Sequence, residues 1–201
     1  MRIAWTKYLS IVLFIIFYHH TSYAQKTNWA IDKNHSCISF EISYFGIGTV
    51  KGAFDEFEGN LQMDESGLKE ADFSLKIQAS SINTNQDQRD EHLRSKDFFN
   101  VTENPEIEFT SKSVNQVSED NYQVKGMLLL GGISKEIVLN VTNKGSFVHP
   151  RFKKTVTVLD VDCLVMREAH EIGTAYGPAS KALGKEVKLT AQIQLSTESG
   201  K

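Results

Sequence analysis

Few of the residue patterns that carry chemistry occur in this chain of 201 residues. His170-Glu171 lacks the second histidine of an H-E-x-x-H zinc site. There is no G-x-S-x-G nucleophile elbow and no phosphate-cradling glycine loop. Asp160 and Asp162 fall two apart on one strand face, which is not the spacing of a calcium loop. These gaps leave no motif-level case for a metalloprotease, a serine hydrolase or a nucleotide-dependent enzyme. Basic residues are not in excess either: 22 Lys and Arg face 25 Asp and Glu. The overall balance therefore gives no electrostatic footprint for nucleic acid or for an anionic surface. A long hydrophobic run is also missing. The apolar stretch Tyr8 to Tyr18 is about ten residues long, where a membrane-spanning helix needs roughly 20.

That short stretch follows Arg2 and Lys7 and precedes Ser22-Tyr23-Ala24, which puts small residues at the −3 and −1 positions of a cleavage site. The pattern predicts a secretory leader over residues 1–24, removed after Ala24; an uncleaved anchor is the competing reading. The mature chain, 25–201, is a single domain of 177 residues, long enough to bury a core. It carries 20 basic and 25 acidic side chains, a formal charge of −5. Its expected location is periplasmic or secreted, with no stable membrane insertion once the leader is gone.

What the mature chain does have is alternation. Ala71, Phe73, Leu75 and Ile77 interleave with Asp72, Ser74, Lys76 and Gln78, and Val187 to Leu195 repeats the pattern. Such period-two sequences make antiparallel strands with one dry and one wet face. Eight are expected, near 37–45, 49–63, 71–79, 106–117, 121–130, 133–144, 155–166 and 186–196. Phe54 and Phe57 sit in opposite registers of the second, so a β-bulge near Asp55-Glu56 is expected to restore the inward set. One short helix is expected, about 87–99, capped from Asn83-Thr84-Asn85. It is too small to cover eight strands, so the sheet must bury its dry face against itself, as a sandwich or a closed barrel. The same alternation turns Cys37 outward and Cys163 inward, which excludes a disulfide between them. Residues 145–154 and 168–185 are the long loops, the second expected to be mobile.

Four segments, in order, carry a resemblance. Trp29-Ala30-Ile31-Asp32 leads to His35-Ser36 and Phe40. Val50-Lys51-Gly52-Ala53-Phe54 leads to Phe57-Glu58-Gly59. The charged run Arg89-Asp90-Glu91-His92-Leu93-Arg94-Ser95-Lys96-Asp97-Phe98-Phe99 precedes Pro105-Glu106-Ile107-Glu108-Phe109. Gly126-Met127-Leu128 precedes Gly131-Gly132-Ile133-Ser134-Lys135. Together they resemble the YceI-like polyisoprenoid-binding family from Trp29 to about Leu195. The resemblance implies an all-β, eight-stranded antiparallel lipocalin-like barrel, with the helix at its end, that holds an isoprenoid or other lipid chain.

Ten of the twelve Phe remain after the leader. Composition alone favours a packed aromatic core, whereas the resemblance implies a tunnel lined by Phe40, Ile42, Phe54, Phe57, Phe73, Leu75, Phe109, Leu128, Leu139 and Val161. At its mouth, Arg89, Asp90 and His92, with Arg94 a turn further and Arg167 after the seventh strand, are the head-group candidates. The competing reading makes Arg89 and Asp90 a lock that fixes the helix to the barrel rim. Asp97-Phe98-Phe99 is expected to plug the barrel end. Glu168 to Gly173 departs from the family's usual continuation after Arg167. The expected function is a non-enzymatic carrier of an isoprenoid lipid, an isoprenoid quinone or polyprenyl phosphate, needing no cofactor, catalytic residue or metal. Two alternatives stand beside it: a small hydrolase or isomerase using Arg89, Asp90 and His92, and a stress-protective interaction protein.

Overall fold

Each alternating stretch is a strand in the computed structural model, which describes residues 26–64 and 67–197. The expected leader, 1–24, lies outside the described residues. The strands are β1 (Thr27–Ile31), β2 (Cys37–Tyr44), β3 (Gly48–Phe54), β4 (Phe57–Asp64), β5 (Gly67–Gln78), β6 (Ile82–Asn83), β7 (Glu106–Gln116), β8 (Asn121–Leu130), β9 (Ile133–Val148), β10 (Thr155–Met166) and β11 (Leu183–Thr197). Antiparallel pairing runs β1-β4-β5-β7-β8-β9-β10-β11, and β11 pairs back onto β1 through Trp29↔Thr197 and Ile31↔Leu195. β2 continues the line of β1 along β11, and β3 continues β4, so the result is a closed barrel of eight antiparallel strands.

The seam between β1 and β2 explains the first motif. A 3₁₀ turn, Lys33–His35, bends the chain there. Asp32 accepts from Asn34 N at 3.0 Å, from His35 Nδ1 at 2.9 Å and from Gln194 Nε2 at 3.3 Å. Ser36 Oγ accepts from Gln194 N at 2.9 Å. Partial burial opposes ionisation of Asp32, but the bonds from His35, Asn34 and Gln194 outweigh it and hold the carboxyl below its usual range. These residues stitch the bend to β11; they are a closure device.

The second strand breaks where its register changes. β3 ends at Phe54 and β4 restarts at Phe57, and both rings are buried. β4 pairs with β5, but β3 does not; on its edge away from β2 it pairs only briefly with β6, Phe54↔Ile82. Into this region packs α1 (Asp87–Arg94). The helix is shorter than the expected 87–99, because Ser95 N and Ser95 Oγ both donate to His92 O and end it. The chain then turns back, Phe99 N donating to Leu93 O at 3.0 Å, which returns Phe98 and Phe99 to the barrel. The cap also differs from expectation. Gln86 accepts from Arg89 N, while Asn83 makes a local turn with Asn85 N and Thr84 serves Asp90. No helix among the described residues is long and apolar enough to cross a membrane.

Candidate functional site

The barrel interior is not filled. It encloses a cavity of about 670 Å³, within the range of small-molecule sites. Nine of the ten expected tunnel residues line it: Phe40 and Ile42 from β2, Phe54 from β3, Phe73 and Leu75 from β5, Phe109 from β7, Leu128 from β8, Leu139 from β9 and Val161 from β10. Phe57 is buried in the core but does not line the cavity. Phe40, Phe73, Leu75, Leu139 and Val161 face inward yet are only partly buried. In a packed interior such side chains would be fully covered, so their residual exposure is exposure to the hollow. Trp29, Leu68, Tyr122, Val156 and Leu195 are buried toward the strand ends remote from α1.

Two glycines of the sequence motifs shape the wall. A Cβ on Gly52 would come within 2.5 Å of the Phe40 ring, and one on Gly126 within 2.4 Å of the Phe109 ring. Each ring lies across the glycine of a neighbouring strand instead of standing upright in the lumen. Alanine at either position would push a phenylalanine into the hollow.

The polar groups gather at the end that carries α1. Arg89 is exposed on the helix and lines the cavity; its Nε and Nη2 donate to Thr84 Oγ1 and Thr84 O at 2.7 and 2.9 Å. Asp90 is 5% exposed, does not line the cavity, and accepts from the Thr84 N–H and hydroxyl. Arg94 donates to Ser80 O and Ile82 O at 2.7 and 2.8 Å. Asp90 and Arg94 therefore spend their polar atoms tying α1 to the segment 80–84, and Arg89 shares in that lock while keeping a face on the cavity. His92 does line the cavity. Its Nε2 meets Asp97 Oδ2 at 3.1 Å, and its ring packs edge-on against Phe98 and Tyr176 at 5.0 and 4.8 Å.

Arg167 also borders the cavity, but it is 3% exposed and its donors are committed. Nε reaches Gly184 O at 2.8 Å, Nη1 reaches Ile172 O at 2.9 Å and Nη2 reaches Leu183 O at 3.4 Å, with Glu168 Oε1 3.6 Å away. His170 is 2% exposed and its Nδ1 meets Ile133 O at 3.0 Å. These contacts pin both ends of the loop expected to be mobile, and so position Tyr176. Arg167→Ala should cost about 3 kcal/mol or more, since buried carbonyls lose charged donors. A shift of the urea midpoint of that size checks it; an unchanged midpoint would free Arg167 for another role.

The mouth also holds aromatic residues, most of which strand alternation does not reveal. Tyr44, Phe45 and Tyr176 line the cavity while remaining exposed, and Phe98 and Phe99 border it, with Phe99 edge-on to Phe54 at 6.0 Å. Phe98 and Phe99 of the Asp97-Phe98-Phe99 segment thus form part of the cavity wall. Phe45, Phe98, Phe99 and Tyr176 lie on turns or loops, where period-two parity carries no information, whereas Tyr44 ends β2 in the register of Phe40 and Ile42.

Both cysteines are free, Cys37 exposed on the outer face and Cys163 buried on the cavity wall. Burial, and secondarily the charge of Asp162, pushes the Cys163 thiol up to about 11. At pH 8 only about 0.1% of such a thiol is thiolate, the reactive form. A water-soluble disulfide reagent should therefore modify Cys37 promptly and Cys163 at least about a hundredfold more slowly. An apolar ligand in the cavity should slow Cys163 further and leave Cys37 unchanged. Stopped-flow labelling of Cys37→Ser and Cys163→Ser proteins separates the two rates, and equal rates would contradict the inward placement.

A closed antiparallel barrel with an apolar hollow and a polar, aromatic mouth defines the class: a binding barrel. The chain belongs to the YceI-like domain family, whose model matches residues 29–195. A UPF0312 protein of Staphylococcus aureus is 34% identical over 85% of this chain and 98% of its own length. A UPF0312 protein of Photorhabdus laumondii is 37% identical over 65% of this chain and 69% of its own. Among solved structures, Burkholderia cenocepacia BcnA superposes with a TM-score of 0.74 at 18% identity, covering 82% of this chain and 98% of that one. A polyisoprenoid binding domain from Saccharophagus degradans, implicated in plant cell wall breakdown, gives 0.65 at 17% identity over 86% and 100%. These two likenesses show the fold.

Proposed function

We propose that the protein is an exported, non-enzymatic carrier that holds the tail of an isoprenoid lipid, an isoprenoid quinone or a polyprenyl phosphate, inside the barrel. In this reading residues 1–24 are a cleaved leader, 25–201 form the single lipid-binding domain, and the protein works in the periplasm or outside the cell without inserting in a membrane. The observation that carries it is the mainly apolar hollow of about 670 Å³ whose charged and imidazole side chains, Arg89, His92 and Arg167, stand at the end that carries α1. Water finds few partners on such a wall, whereas a prenyl tail offers no hydrogen bonds and needs none. The polyisoprenoid-binding neighbour and the family membership support the same reading.

Affinity comes from the tail. Burial contributes roughly 0.8 kcal/mol per CH₂, so each five-carbon unit gains on the order of 3–4 kcal/mol gross. Association and ordering oppose this by at least several kcal/mol. Arg89 and His92, the candidates that face the cavity with exposed or half-exposed side chains, select the head group. Exposed Tyr44, Phe45 and the 98%-exposed Ile47 form an apolar lip beside the mouth, over which a tail can pass.

Native mass spectrometry of the mature protein purified from its own host, followed by extraction, tests the carrier. A prenyl-lipid mass released on denaturation is the expected result; an empty protein that refuses added prenyl lipids would overturn it. The His92–Asp97 pair supports a second reading, a lipid-modifying hydrolase or isomerase. Turnover of a prenyl ester that vanishes in His92→Ala would favour that reading.

A further inference from the structure

The β9–β10 connection carries features that lipid carriage does not use. Residues 144–154 contain Lys144, Arg151, Lys153 and Lys154 and no Asp or Glu, although acidic residues exceed basic ones in the chain as a whole. Lys144 pairs with Asp160 at 3.5 Å; Arg151, Lys153 and Lys154 make no ion pair among the described residues. Three apolar side chains are exposed on the same hairpin: Phe147 at 47%, Val148 at 62% and Phe152 at 62%. The hairpin also projects. β8 leaves β9 at Thr142, after which β9 pairs only with β10.

The tip is ordered by its own bonds. His149 Nδ1 accepts from the N–H groups of Arg151 and Phe152 at 3.2 Å each, and Lys153 N donates to His149 O at 2.9 Å. Lys153 sits in the left-handed region, φ 56. The Phe152 ring lies 4.7 Å from the His149 ring and 5.3 Å below the Arg151 guanidinium. Nothing in the barrel needs two phenylalanines and a valine exposed on a hairpin that carries four cations, three of them without an ion pair among the described residues.

We propose that this hairpin docks the protein peripherally onto an anionic lipid bilayer. Cations placed around exposed aromatics match the boundary between phosphate head groups and acyl chains. A bilayer receives such a projecting hairpin without needing a complementary shape. The charge of the whole chain conceals this local excess of cations. The hairpin stands at the barrel end remote from α1, so the docked protein turns its cavity mouth away from the bilayer that holds it.

Co-sedimentation of the mature protein with phosphatidylcholine vesicles, with and without phosphatidylglycerol, tests this. Binding should appear with the anionic lipid, fall with salt, and be near background on the neutral vesicle. Each cation lost should weaken it about fivefold, so Arg151→Glu, Lys153→Glu and Lys154→Glu combined should weaken it by on the order of a hundredfold or more. Phe152→Ala should weaken it severalfold. The thermal melt and prenyl-ligand retention of the same variants report folding and the cavity separately, so failure here is distinguishable from failure of the carrier reading. Equal binding to both vesicles, no binding at low salt, or unchanged binding by the folded triple variant would each overturn the proposal.

Discussion

Under the carrier reading, Phe109→Asp should leave a protein with neither a bound lipid nor most of its stability. The Phe109 ring is 5% exposed, lies across Gly126 and faces the hollow. Removing a buried phenylalanine costs about 3–5 kcal/mol, and a carboxylate in its place is desolvated or forces water inside. Against a total stability of about 5–15 kcal/mol, that takes the barrel to the edge of unfolding. Phe73→Asp is the informative companion. Phe73 faces the same cavity but is only partly buried, so its aspartate can draw water from the hollow. This variant should stay folded with a smaller loss, about 1–3 kcal/mol, and still release its prenyl ligand. Urea midpoints with lipid extraction give both readings. If both variants melt as wild type and keep their lipid, the inward face is misassigned.

The second large effect separates tail from head. Under the carrier reading, shortening a prenyl ligand by one unit should weaken binding severalfold or more, after ordering costs offset part of the gross burial gain. Arg89→Ala should instead reorder quinone, alcohol and phosphate heads of equal length. The phosphate should suffer most, losing a charge-assisted partner worth up to about 3 kcal/mol. Asp90→Ala should act differently, loosening Thr84 and the helix and lowering stability without reordering heads. A competition series of matched tails and heads on each protein checks this. Affinity that ignores tail length and collapses in Arg89→Ala would move the binding energy to the mouth.

The strands were legible because one wet and one dry face impose a two-residue period, and Phe54 and Phe57 betrayed the register change by breaking it. The faces of Cys37 and Cys163 followed from the same parity. Parity gives side but not depth, which is why Phe57 points inward and still misses the cavity. Closure of β1 onto β11 joins residues more than 160 apart in sequence and leaves no local trace; the family resemblance supplied the barrel. The helix end was misplaced because the charged run continues past Arg94, while the stop comes from Ser95 folding back on His92 O. Arg167 looked like a head-group ligand because parity aims it inward. Its commitments to Ile172, Leu183 and Gly184 depend on a loop closure that sequence spacing does not encode.

The central claim is that an apolar chain occupies the barrel, and a crystal structure of the mature protein with a bromine-tagged prenyl lipid tests it most directly. The account predicts the head beside Arg89 and His92 and anomalous density from the tail inside the wall formed by Phe73, Phe109 and Leu139, running toward Leu61 and Val124. Bromine bound only on the outer surface, with the interior collapsed or filled by ordered water, would contradict it.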